Sequence, residues 1–144
     1  MPSAPPIYFH FLLPLPNLRE RYRLKKFIIK LILSAGKKLE RLDYIFCDDE
    51  YLLKINQKHL KHNYFTDIIT FNLAEDPSPI RAEIYISIPR VRENAGKYNI
   101  SFVSELHRVV FHGVLHLIGH SDKSAKEKAR MRKMEDHCLE TYFS

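Results

Sequence analysis

The segment His112-Gly-Val-Leu-His-Leu-Ile-Gly-His-Ser-Asp122 constrains this chain more than any other. Val109, Val110, Phe111, Val114, Leu115, Leu117 and Ile118 surround the histidines, so the stretch predicts a largely buried helix. His112 and His116 are four residues apart and leave the same face, one turn above the other. Gly119 permits the left-handed turn that ends a helix, and the chain can then fold back with His120 and Asp122 beside the pair. The bare spacing is a weak signal, since two partly buried histidines bonded to carbonyls would give it as well. The whole segment is stronger. Polar rings on an apolar helix need partners, and one divalent ion would partner them all. Two imidazoles, a third donor and an open fourth position describe a catalytic zinc site.

The next residue excludes one chemistry. A thermolysin-like peptidase carries Glu directly after its first histidine as general base, and Gly113 stands there.

The segment resembles the signature of the YbeY family, bacterial metal-dependent endoribonucleases of ribosomal RNA maturation. That signature runs His-Gly-x-Leu-His-Leu-x-Gly-Tyr-Asp-His, and its first, fifth and eleventh residues bind zinc. His112 and His116 match the first two ligands. Asp122 stands where most of the family has His, and His120 where it has Tyr. The resemblance implies one Zn2+ held by His112, His116 and Asp122, because Asp is a competent oxygen ligand and keeps the register. His120 is the rival third ligand; with Asp122 in place it becomes a supporting or substrate-facing group and the candidate general base. Asp122 has a blander reading as a helix cap, shared with Ser121 and Ser124.

Further blocks extend the resemblance over nearly the full chain. Ile55-Asn56 through Phe65-Thr-Asp-Ile-Ile-Thr-Phe71 looks like the family's Leu-Asn…Thr-Asp-Val-Leu-Ser-Phe, Ala82 to Ser87 like its Gly-Asp-Ile-x-Ile-Ser, and Met134-Glu135 like part of its last helix. The family's first block usually carries an Arg near the metal that contacts RNA. Leu60 occupies that position, so the role falls to Lys58, Lys61 or Arg81, or is absent.

The resemblance implies a single-strand-specific endoribonuclease acting in ribosomal RNA maturation, at the 3′ end of 16S ribosomal RNA, and in ribosome quality control. Single-stranded RNA and ribosomal particles would be its partners. Two alternatives stand: a zinc peptidase or other metallohydrolase, and a non-enzymatic ribosome-assembly factor with structural zinc. Twenty-three basic against 17 acidic residues give a net charge of +6, which suits an anionic partner. The longest apolar run, Phe27 to Leu33, is short and interrupted by Lys30, so no membrane span is expected. The proline-rich opening Met1-Pro-Ser-Ala-Pro-Pro6 lacks the basic start of an export signal, and Cys47 and Cys138 are expected as reduced thiols. A cytoplasmic monomer is the resulting expectation.

One domain over residues 1–144 is expected, of α+β class: a mixed, mostly parallel four-stranded sheet with about five helices packed on it. Strands are expected at 7–13, 42–47, 67–73 and 82–88. Asn17 is a candidate cap for a helix reaching Ala35 and stopped by Gly36, with basic residues around an apolar face that read as solvated or RNA-tracking. Asp48 and Asp49 open a helix ending near Leu60, Pro89 a short one ending near Gly96, Phe102 the histidine-bearing one, and Ala125 the last, to about Thr141. His107 sits about 140° around the helix from His112 and reads as a surface residue. His137 reads as structural, His59 and His62 as helix-end or cleft groups, and Thr66 and Asp67 as turn or cleft groups. Glu105 is a candidate supporting partner for a ligand histidine, but two helical turns from His112 it is not expected to touch that ring.

Overall fold

Strand periodicity dictates the sheet. Ile7–Phe11 (β1), Leu39–Cys47 (β2), Ile68–Asn72 (β3) and Ile80–Ser87 (β4) are rich in β-branched and aromatic residues, and their burial largely alternates. In this computed structural model, which describes residues 4–144, they form one sheet in the order β1-β2-β4-β3. β1, β2 and β4 run parallel, and β3 returns antiparallel to β4. The mixed, mostly parallel four-stranded sheet is therefore as expected, with five helices among the described residues. Residues 1–3 of the proline-rich opening lie outside that range.

The helices are Arg21–Ser34 (α1), Asp49–Leu60 (α2), Ile88–Tyr98 (α3), Phe102–Leu117 (α4) and Ala125–Phe143 (α5). Ile84 and Ile86 of β4 face a large core shared with α1, α3, α4 and α5. Tyr85, between them, faces the other side, where Cys47, Leu52 and Ile69 form a small cluster under α2. α4 is the central helix: Leu106, Val110, Phe111, Val114 and Leu115 are all fully buried. Its Gly113 is where helix and sheet come closest. A Cβ there would lie 2.7 Å from Ile84 Cδ1 and 3.2 Å from Ile68 Cδ1. Position 113 therefore faces the sheet, which is why no acidic base can stand there.

α1 begins three residues later than the Asn17 cap predicts. Leu15 and Leu18 are buried as anchors, and Glu20 takes a left-handed conformation (φ 52°) before the helix. Tertiary burial of those two leucines overrides local capping. β2 starts earlier than expected, at Leu39, and α3 runs past Gly96 to a left-handed Asn99.

His107 is not at the surface. It is 3% exposed, its Nδ1 lies 2.7 Å from the Val103 carbonyl oxygen, and its ring packs among Phe111, Tyr142 and Phe143. Being off the histidine stripe turned it toward α5, not toward water. His137, expected to be structural, is exposed. Four of the five basic residues of α1 lie over aromatic rings: Arg21 on Phe11, Arg23 on Tyr142, Lys25 on Phe9 and Lys26 on Tyr22. That favours the solvated, snorkelling reading of this face.

Candidate metal centre

Three features of local structure bring the site together. α4 presents His112 and His116 one turn apart, with ring centroids 5.4 Å from each other. The helix then ends on Ile118, and Gly119 adopts φ 109°. The Gly119 amide donates to the His116 carbonyl and the His120 amide to the Leu115 carbonyl, the doubly bonded stop that reverses the chain. α5 restarts on a capping box in which Ser124 and Glu127 bond each other's backbone. Ser124 is the cap, so Asp122 is free of that duty.

Asp122 turns back on the two rings. Its Oδ2 is 3.4 Å from His112 Nε2 and its Oδ1 3.3 Å from His116 Nε2. One ligand atom from each of the three residues lies within 4.8 Å of the others. These N···O separations are long for hydrogen bonds. Each ring faces a different oxygen of the one carboxylate, at a separation close to the roughly 3.3–3.4 Å between neighbouring ligand atoms of a tetrahedral site with bonds of 2.0–2.1 Å. The donor set and its spacing fit a divalent ion of zinc type. His120 is not part of this group and does not line the cleft.

A residue that sequence reasoning did not assign here completes the centre. Glu135 on α5 is buried, and its Oε2 lies 2.7 Å from His112 Nδ1. That contact puts the ring proton on Nδ1 and leaves the Nε2 lone pair facing Asp122 and His116. Burial pulls the His112 pKa down, but the hydrogen bond and charge of Glu135, with Asp122 and Asp67, outweigh it and the net shift is upward. The ring is thus a more basic donor than an ordinary imidazole. Glu105, the expected supporting group, is buried beside Arg108 at 3.7 Å and, as anticipated, makes no bond to His112. Glu135 takes the part, at a sequence distance of 23 residues that no motif spacing signals.

The triad opens into a cleft of about 780 Å3. One wall is α2 and the following loop, with Asn56, Leu60, His62, Tyr64, Thr66 and Asp67; the other is α4 and α5, with Arg108, Lys128 and Arg132. Asp67 is half-buried, and that burial raises its pKa against a smaller lowering from His112. Lys58, Lys61 and Arg81, considered as substitutes for an arginine at position 60, do not line the cleft. Its cations come from α4 and α5 instead. Arg108 is committed to Glu135 at 3.1 Å and Asp136 at 2.7 Å. Lys128 has no carboxylate within ion-pair distance among the described residues, and Arg132 has only Glu135, at 3.7 Å.

Comparison with known proteins converges on one family. A family model described as Endoribonuclease YbeY matches residues 19–143. A Porphyromonas gingivalis protein named Endoribonuclease YbeY is 44% identical over 125 residues, covering 87% of this chain and 82% of its own. The Amoebophilus asiaticus protein of that name is 44% identical over 139 residues, covering 94% and 91%. The solution structure of a Thermotoga maritima protein superposes with a TM-score of 0.66 at 27% identity, over 94% of this chain and 89% of the other.

Proposed function

This chain belongs to the endoribonuclease YbeY family, and on that premise we propose that it is a zinc-dependent endoribonuclease that cuts single-stranded ribosomal RNA during maturation. The proposal extends to the 3′ end of 16S ribosomal RNA and to ribosome quality control, in the cytoplasm and as a monomer. No helix among the described residues is long and apolar enough to cross a membrane. The observation that carries the chemistry is the group His112, His116 and Asp122 in a cleft whose lining also includes Arg108, Lys128 and Arg132.

In this reading His112 and His116 offer Nε2 and Asp122 a carboxylate oxygen to one Zn2+. Bound there, the ion supplies Lewis acidity toward a phosphodiester and lowers the pKa of water. Glu135 holds the His112 ring in one tautomer and orientation. Lys128 and Arg132 draw the RNA backbone into the cleft by charge. For proton transfer, His120 enters through its place two residues before Asp122; Asp67, which lines the cleft with its pKa raised by burial, has the better position. pH–rate profiles of His120→Gln and Asp67→Asn separate the two, since only the true proton carrier removes one limb.

The decisive experiment compares labelled single-stranded RNA with casein, each with and without chelator. RNA cleavage that is abolished by chelation, restored by zinc and lost in His116→Ala supports the proposal. Casein cleavage would favour a peptidase, which Gly113 already opposes. A folded His116→Ala protein that still restores ribosome maturation would favour the assembly-factor reading.

A further inference from the structure

Tyr64 is a large aromatic residue left 56% exposed in the lining of the cleft that also holds His112, His116 and Asp122. An exposed aromatic side chain is ordinary by itself. This one is held in place from three directions. Buried Asn56 accepts the His62 amide on its backbone carbonyl and donates its side-chain amide to the Tyr64 carbonyl at 2.9 Å. The His62 and Tyr64 rings are stacked, with centroids 5.2 Å apart and planes 20° from parallel. The Tyr64 hydroxyl and His62 Nδ1 are hydrogen-bonded at 3.0 Å. Both rings line the cleft whose other wall carries Lys128 and Arg132.

An exposed, mutually stacked ring pair in the same cleft as Lys128, which has no carboxylate partner among the described residues, and Arg132, whose one carboxylate contact is 3.7 Å, suits one ligand chemistry. We propose that the Tyr64–His62 pair is a stacking subsite for one unpaired nucleobase of the RNA, whose neighbouring phosphates lie toward Lys128 and Arg132. This rests on the RNA-cleaving reading of the centre and adds to it a physical source of single-strand preference. A base inside a duplex has both faces covered by its neighbours and cannot reach a platform set in a cleft wall. A flexible strand can turn one base out onto the tyrosine without unpairing anything. Every base has a π-face, so the subsite tolerates sequence. Because Asn56 fixes the loop backbone beforehand, little ordering is left to be done when RNA arrives.

The test uses the zinc-loaded full chain, a short unstructured RNA, and versions of that RNA with one nucleobase removed at successive positions. Stacking on an aromatic side chain predicts that Tyr64→Leu raises KM on the order of ten-fold with kcat little changed, while Tyr64→Phe stays within about two-fold of the parent. Removing one base is expected to weaken binding to the parent protein about ten-fold at a single position, and Tyr64→Leu should lose that sensitivity. A matching thermal melt for Tyr64→Leu certifies its fold. Tyr64→Leu with an unchanged KM, or with the full base-removal penalty intact, overturns the subsite and leaves the nuclease reading standing. A parent protein that cleaves no RNA with zinc overturns both.

Discussion

At the scale of single residues, the centre depends on a carboxylate that is not a ligand. Glu135 is expected to set metal affinity through the His112 ring. Glu135→Gln should weaken zinc binding about 10- to 100-fold in a chelator competition, with His112 and Asp122 unchanged. Wild-type affinity would reduce Glu135 to a partner of Arg108. The grouping of His112, His116 and Asp122 was legible in sequence because their spacing is local: four residues on one helix, then a glycine stop. The blander reading of Asp122 as a cap fell only once Ser124 was seen to take that place. Glu135 was hidden because its pairing crosses from α4 to α5, and no local period reports an interhelical contact.

At the scale of elements, α4 shows why helical phase alone misleads. The 3.6-residue period correctly separates His107 from the His112–His116 stripe, but a helix covered by sheet, α1, α3 and α5 has almost no free side. His107 is buried against α5, close to Arg23 of α1, and its pKa is lowered, first by burial and then by that guanidinium, against an opposing pull from the Val103 carbonyl. A depressed histidine favours the folded state while neutral. That contribution is full above the ordinary histidine pKa of about 6.5 and is lost as pH falls through the lower folded value. His107 therefore lowers the melting temperature as pH is taken from 7 toward 5, against an opposite contribution from the raised His112, and His107→Phe should remove that lowering from the profile. An identical slope in the variant would place the acid sensitivity elsewhere. The mis-set start of α1 has a related cause: the Asn17 cap is a local preference, whereas Leu15 and Leu18 answer to the core.

At the scale of the whole molecule, the two faces of the sheet have different burdens. The larger core fixes α4 against β3 and β4, with Gly113 letting helix and sheet approach; the smaller one seats α2, which carries the cleft's other wall. One cysteine marks each: Cys47 under α2, its thiol pushed up to about 12 by burial and then by Asp48 and Asp49, and Cys138 on α5, pushed up to about 11 by burial and then by Glu135. Both should resist alkylation in native protein at pH 8 and react fully once unfolded, counted by mass spectrometry; rapid native labelling of either would show that its core opens. The order of strands and helices was readable because strand-helix-strand and hairpin patterns leave few topologies open. Which helix walls the cleft was not. The connector carrying Asp122 is clamped at both ends, by the glycine stop of α4 and the capping box of α5. Such a bridge can swap a nitrogen donor for an oxygen one and survive, but adding or deleting a single link would swing the donor away. Between those fixed ends, the number of links constrains the bridge more tightly than which donor atom it carries.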